Sequence, residues 1–250
     1  MEVIRLSPSR ISDYQQCPKL YHYRVIEKLP EPISLDAVRG TLIHNILEKL
    51  LGLSSEERTI ENAKKEVPVH WDILKNQIPE LEQLVSSEKE WIDRANALLD
   101  SYFQLENPQT FTPTHMEAHL ELEVVDDLLL HGYVDRIDVA QTGEVRIVDY
   151  KTGKSPRIGY EDKALFQLRF YALLWWKLYG EIPKLIQLLY LGDQKMLKSS
   201  PTKRELEITH DKSLKVGNDI KISHQKNFWP TQTSRLCDWC SFKNICPAFS

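Results

Sequence analysis

The stretch LLLHGYVDRIDVA, residues 128–140, is followed by QTG and then by EVRIVDYK, residues 144–151. Both runs alternate apolar and polar residues, and a three-residue connection containing glycine between two such runs signals a β-hairpin. With QTG as the loop, Ala140 faces Glu144, and counting back along both strands puts Asp135 across from Asp149. Directly opposed residues share a face, with Cβ atoms about 4.5–5.5 Å apart. A slip of one residue would turn one of the two carboxylates to the other face. Carboxylates that close repel unless something neutralises them. A hard divalent cation bound by oxygen ligands is the economical neutraliser.

The second strand ends in D-x-K. Residues i and i+2 of a strand point the same way, so Asp149 and Lys151 project together on the face of Val145 and Ile147. For an isolated D-x-K the ordinary reading is a surface ion pair. Phosphodiester hydrolysis supplies another, because it needs a metal to polarise phosphoryl oxygens and a positive group beside the nucleophile and the developing charge.

The flanking sequence frames this hairpin. Residues 7–28 read as helix, opened by SPS and divided by Pro18 just after Cys17. Between Asp36 and Leu51 a helical stripe runs through Val38, Leu42, Ile43, Ile46, Leu47, Leu50 and Leu51. Residues 54–106 continue as helical segments, and Trp91, Ala95, Leu98, Leu99, Tyr102 and Phe103 mark the best amphipathic run. At Met116 the period changes to that of strands. EDKALFQLRFYALLWWKLYG then reads as a long helix, KLIQLLYLG as a buried strand and KRELEIT as an outer strand, with a last helix from about Asp211 to Asn227. This order predicts an α/β fold with a mixed sheet flanked by helices. The 250 residues divide into a helical lobe (1–110), a catalytic core (111–228) and a cysteine-rich tail (229–250), packed as one domain.

Composition excludes little. Hydrophobic content of 42% and charged content of 27% are those of a soluble globular chain. The N-terminus MEVIRLSPSR has no apolar core of a signal peptide, and the greasiest run is broken by Arg169 and Lys177. The expectation is a cytoplasmic protein without a membrane span. A net charge of −4 argues weakly against a polyanion partner, because acidic metal ligands subtract from the total while a cation neutralises them locally. Basic clusters occur at Lys151, Lys154 and Arg157, and at Lys195, Lys198, Lys203 and Arg204. The ordinary reading of each is a solvated face.

Three further residues belong beside the hairpin. His44 lies at the edge of the apolar stripe next to Leu47 and Leu51, with Gly40 one turn earlier where a backbone could approach closely. A packed bystander and a metal ligand are both open for it. Gln167 and Tyr171 are four apart on the long helix and share a face.

G-x-x-x-H, GYVDRID, IVDYKTG and Q-x-x-x-Y, in this order, resemble the motifs of the PD-(D/E)XK nuclease superfamily, specifically the RecB-type nuclease domain of AddAB helicase–nucleases and CRISPR-adaptation exonucleases. The resemblance implies a restriction-endonuclease-like fold. It implies that Asp135 and Asp149 bind Mg²⁺ or Mn²⁺, with His44 and the backbone carbonyl of Tyr150 as further ligands. Lys151 would assist the attacking water, and Gln167 and Tyr171 would hold the site. Lys154, Arg157 and Arg169 are the expected DNA contacts. The implied activity is that of a deoxyribonuclease, an exonuclease acting on single strands or free ends in repair, recombination or defence, beside a helicase or repair partner. The alternative is a catalytically silent DNA-binding or scaffold subunit. No Walker A sequence is present, so the chain carries no helicase motor.

Four cysteines complete the reading. Cys237-x2-Cys240-x5-Cys246 in the tail and Cys17 near the start offer four thiolates for zinc or an iron–sulfur cluster; spacing alone does not decide, and zinc is the commoner structural choice for a bare four-cysteine site. Iron–sulfur members of the resembled branch carry one cysteine ahead of the core and three close together behind it. The resemblance therefore implies a [4Fe–4S] cluster clasping the two ends of the chain.

Overall fold

Side-chain alternation decides how each strand packs. The computed structural model describes residues 3–125, 127–157 and 159–249. β1 (Ile4–Leu6), β2 (His115–Val125), β3 (Leu128–Val139), β4 (Val145–Lys151), β5 (Leu185–Tyr190) and β6 (Lys195–Ser199) form one mixed sheet. The principal helices are α1 (Pro8–Gln16), α2 (Pro18–Tyr21), α3 (Leu35–Leu51), α4 (Ile60–Gln77), α5 (Leu81–Leu84), α6 (Glu88–Leu105), α7 (Asp162–Tyr179) and α8 (Lys203–Gln225).

β3 organises the sheet. β2 runs antiparallel along one edge of it, while β1 and β4 share the other edge. β1 lies parallel against Leu128–Leu130 and β4 antiparallel against Arg136–Val139. Residues 131–135 therefore border a gap between β1 and β4. β5 adds parallel to β4, and β6 antiparallel to β5.

The hairpin has the register that QTG predicts. The Ala140 N–H donates to the Glu144 carbonyl at 2.9 Å, and Arg136 pairs with Val148. One further step is Asp135 opposite Asp149, and there the ladder ends. The Tyr150 N–H donates to the Asp135 carboxylate instead, at 2.7 Å.

Alternation sends β4 into two cores. Val145 and Ile147 join Ile11 of α1, Leu168 to Trp175 of α7 and Leu206, Val216 and Ile220 of α8. Val148 and Tyr150 join the other core, with α3, α4 and α6. The seven stripe residues of α3 are all at or below 7% exposure. Each fully buried Leu or Ile is worth about 1.5–3 kcal/mol, several times the spread of helix propensity, so packing holds this helix.

One expected element is different. KRELEIT is the start of α8, which begins at Lys203, and the outer strand is Lys195–Ser199. The Thr202 hydroxyl accepts from the Glu205 N–H at 3.3 Å, and the Glu205 carboxylate accepts from the Thr202 N–H at 2.9 Å. This capping box starts a helix where the short alternating pattern reads as strand. Leu206, Thr209, Ser213, Val216, Gly217 and Ile220 then form its buried face. β1 is an addition, three residues too short to register as a strand in the sequence.

The tail docks on the N-terminal helices. Leu20, Tyr23 and Phe242 form a small apolar cluster with Cys17, Leu29 and Cys240 beside it. The Tyr23 hydroxyl donates to the Ile245 carbonyl at 3.0 Å. No helix among the described residues is long and apolar enough to cross a membrane.

Behind the hairpin, Arg136 is fully buried. It makes two 2.7 Å bonds to the Glu106 carboxylate, one of 2.8 Å to the Tyr150 hydroxyl, and lies 3.2 Å from Asp138. Removing one member of a buried ionic set strands the others and costs about 3–5 kcal/mol. Arg136→Ala is expected to lose stability on that scale in urea denaturation. A loss below about 1 kcal/mol would mean that Glu106 and Asp138 regain water without their partner.

Candidate active site

The end of β4 places Asp149 inside the protein and Lys151 at its surface. Asp149 is 2% exposed. Its Oδ1 accepts from Gln167 Nε2 at 3.0 Å, and Lys151 Nζ lies 2.6 Å from Oδ2. The lysine contact is an ion pair without the alignment of a hydrogen bond, so Oδ2 keeps unused lone pairs in a buried setting. Burial, then the neighbouring Asp135 charge, raise the Asp149 pKa, and Lys151 pulls the other way. Burial draws the Lys151 pKa down, but Asp149 outweighs it and the ammonium is held charged.

α7 completes this half. Gln167 accepts from Lys151 Nζ at 2.9 Å through Oε1, and its Nε2 also reaches the Tyr171 hydroxyl at 2.9 Å. One amide thus joins Asp149, Lys151 and Tyr171. Tyr171 comes this close because residue 132 is glycine: a Cβ there would lie 2.5 Å from the Tyr171 ring. Gly40 differs from its expectation, since a Cβ would meet Thr152 Oγ1 at an ordinary 3.7 Å.

The other half lies across the hairpin. Asp135 Oδ2 accepts from the Tyr150 N–H, and its Oδ1 faces His44 Nδ1 at 3.4 Å. His44 Nε2 lies 3.0 Å from the Tyr150 carbonyl. A carbonyl only accepts, so Nε2 carries the proton and Nδ1 is the nitrogen aimed at the carboxylates. Burial pulls the His44 pKa down, but Asp135 and then Asp149 outweigh it and lift it to about 9. The Tyr150 carbonyl, an expected cation ligand, is the anchor of His44.

Glu117 is the residue that the sequence reading missed. It lies in β2 between Met116, opposite Arg136, and Ala118, opposite Val134, so the register sets it opposite Asp135. Its backbone is left-handed, with φ 46°, a strained state for a non-glycine residue that occurs at functional sites. Donor atoms of His44, Glu117 and Asp135 all lie within 4.8 Å of one another. Burial, then Asp135, raise the Glu117 pKa. Carboxylates with one imidazole, one carboxylate oxygen lacking a hydrogen bond, fit a hard divalent cation.

A cleft of about 1240 Å³ opens beside this site, lined by Gln167, Tyr171 and Tyr190 at one side and by Arg10, Lys154, Lys163 and Lys212 elsewhere. Tyr133 and Tyr160, 57% and 75% exposed, also line it. Of the expected DNA contacts, Lys154 lines the cleft and Arg157 is exposed on the same loop. Arg169 is held elsewhere, by Glu205 of α8 at 2.8 Å. In the second basic cluster Lys195 pairs with Asp193 and Lys203 with Glu207, on a solvated face.

The four cysteines, Cys17, Cys237, Cys240 and Cys246, line one cavity between the N-terminal helices and the tail. The Gln232 N–H donates to the Cys17 sulfur and the Ser234 N–H to the Cys237 sulfur, each at 3.4 Å.

The PD-(D/E)XK nuclease superfamily matches residues 5–247, and the chain belongs to that superfamily. Gene 69 protein of Mycobacterium phage D29 is 33% identical over 141 residues, which cover 54% of this chain and 48% of that protein. The match thus spans about half the length of this curated relative. A crystal structure of a candidate exonuclease from Eubacterium rectale superposes with a TM-score of 0.61 at 13% identity, over 94% of this chain and 86% of that one. That likeness is one of fold.

Glu117 separates two demands on the site. Three like charges repel in the metal-free chain, and the same charges would attract a cation. Glu117→Gln is expected to keep or raise the melting temperature without metal, while Mn²⁺ affinity measured by calorimetry falls about tenfold or more. Unchanged Mn²⁺ affinity would remove Glu117 from the ligand set.

Proposed function

We propose that the chain is a metal-dependent deoxyribonuclease that hydrolyses phosphodiester bonds with Asp135, Asp149 and Lys151, aided by His44 and Glu117. The observation that carries this reading is the arrangement at the end of β4. Lys151 Nζ lies 2.6 Å from Asp149 and 2.9 Å from Gln167, while His44 faces the neighbouring carboxylate of Asp135 at 3.4 Å. A surface ion pair requires neither the buried aspartate nor the amide that fixes both members.

Asp135, Asp149, Glu117 and His44 Nδ1 would hold Mg²⁺ or Mn²⁺. A cation bound there polarises the phosphoryl group and lowers the pKa of water. Lys151 places a fixed positive charge beside the nucleophile and the charge that grows in the transition state. Gln167 keeps the ammonium from swinging into solvent, and the Tyr150 carbonyl keeps the His44 ring oriented.

The cleft favours a single strand. Basic side chains track a backbone and exposed aromatic rings stack on bases without regard to sequence, which is the character of Arg10, Lys154, Lys163, Tyr133 and Tyr160. The choice of exonuclease over endonuclease, and of free ends as substrate, follows the family resemblance and the exonuclease description of the Eubacterium rectale protein. A DNA-binding subunit without activity is disfavoured by the complete D…D-x-K set.

A [4Fe–4S] cluster on Cys17, Cys237, Cys240 and Cys246 belongs to the same reading. All four line one cavity, and Cys17 and Cys237 accept backbone N–H bonds.

Two experiments test these assignments. On end-labelled and circular single strands with Mn²⁺, Lys151→Ala is expected to bind metal and DNA but cleave at least ~100-fold more slowly, the effect of losing one electrostatic stabiliser. Asp149→Ala should lose metal affinity as well. Near-normal cleavage by Lys151→Ala would reduce D-Y-K to an ion pair, and equal cleavage of circles and linear strands would remove the requirement for ends. Anaerobically purified protein should be brown with about four irons per chain, and Cys240→Ala should lose the colour. One zinc and no iron would replace the cluster with zinc.

A further inference from the structure

The β2–β3 ribbon carries a second group of metal-type donors that the nuclease chemistry does not use. Ala118, Leu120 and Leu122 of β2 pack against the core, so His119 and Glu121 between them point to the outer face. The register puts His131 of β3 directly opposite Glu121, and Tyr133 opposite His119. Donor atoms of His119, Glu121 and His131 all lie within 4.8 Å of one another. His119 Nε2 is 3.4 Å from Glu121 Oε1, and the two imidazoles are 5.9 Å apart between centroids. Tyr133 stacks on His119 at 4.4 Å and 14°, which fixes the plane of that ring.

His131 is the second, independent sign. Both its ring nitrogens are buried and, among the described residues, neither has a hydrogen-bond partner, a state that in native structures calls for a partner such as a bound ion or an ordered water. Burial, then Arg10, Arg5 and His119, hold its pKa below the ordinary histidine value. The ring is therefore neutral and keeps a lone pair at one nitrogen.

We infer that His119, Glu121 and His131 form a metal site for a divalent transition ion of the zinc class, distinct from the carboxylate site at Asp135 and Asp149. Two imidazoles with one carboxylate suit zinc, whereas Mg²⁺ prefers oxygen donors. Ligand atoms about 2.0–2.2 Å from zinc stand roughly 3.3–3.5 Å apart, so the three donors need to close by little more than about 1 Å. Arg5 pairs with Glu121 from β1, but its side chain is 45% exposed and is free to turn to solvent when a cation takes the carboxylate. A bound ion would cross-link the edge strand β2 to β3 beside the sheet gap. His131 lines the cleft there, four residues before Asp135.

Zinc titrated into the full chain by calorimetry tests this, comparing the unmodified protein with His119→Gln, Glu121→Gln and His131→Gln. Each variant is expected to bind one zinc at least tenfold more weakly, while Asp135→Asn keeps that zinc. Uptake at the cysteines is common to all of them and cancels. His119 and Glu121 are not buried, so their variants carry the test if His131→Gln fails to fold. In the same titration, the side-chain NMR resonances of His119 and His131 should shift together. Equal zinc binding by the unmodified protein and the His119 and Glu121 variants, or zinc-dependent shifts confined to His44, would overturn the assignment.

Discussion

Two carboxylates on neighbouring strands, Asp135 and Asp149, set the terms for everything around them. Their mutual repulsion raises the energy of any fold that holds both ionised and dry. The structure counters it piecewise. A backbone N–H goes to Asp135 at the expense of one ladder bond, while an amide and an ammonium go to Asp149. Glu117 then adds a third carboxylate on a strained backbone. A site that concentrates like charge under strain is stable only because the sheet and two helices over-determine it, and a cation would relieve it.

The sheet topology creates the access. Since β1 and β4 meet the same edge of β3 at opposite ends, residues 131–135 have no strand beside them on that edge among the described residues. The cleft occupies this interruption, with α1 and the loop after β4 on its walls. α7 closes the site from the core side, where Gly132 lets Tyr171 pack against the strand backbone. Arg136, on the opposite face, ties Tyr150 to Glu106 and so supports the strand between Asp149 and Lys151. A second close approach is made by Gly192 after β5, where a Cβ would lie 2.6 Å from the Gly153 carbonyl.

The ends of the chain are joined by a different device. Cys17 and the three tail cysteines line one cavity beside a small apolar cluster separate from both large cores. A cross-link there would close nearly the whole chain into one loop, and the entropy that such closure removes from the unfolded state grows with loop length. Stabilisation by the proposed cluster would therefore be felt by the whole molecule.

The amino-acid sequence determined what rests on local pattern. The α3 stripe, the long helix α7 and the β3–β4 hairpin follow from side-chain period and a three-residue loop, and that loop fixes Asp135 against Asp149. Gln167 and Tyr171 were legible because i and i+4 share a helix face. What the tertiary structure decided lay beyond local reach. KRELEIT is helical because Thr202 and Glu205 cap it and its buried face packs on α7 and the sheet, not because of its alternation. Glu117 could not be found by counting from the β2–β3 connection: a register shift between Glu123 and Val125 offsets the pairing by one residue, which would point it to the wrong face. The same offset hid the meeting of His119, Glu121 and His131. A hairpin loop transmits register only while the ladder is regular, and a bulge is settled by packing on both faces of the sheet.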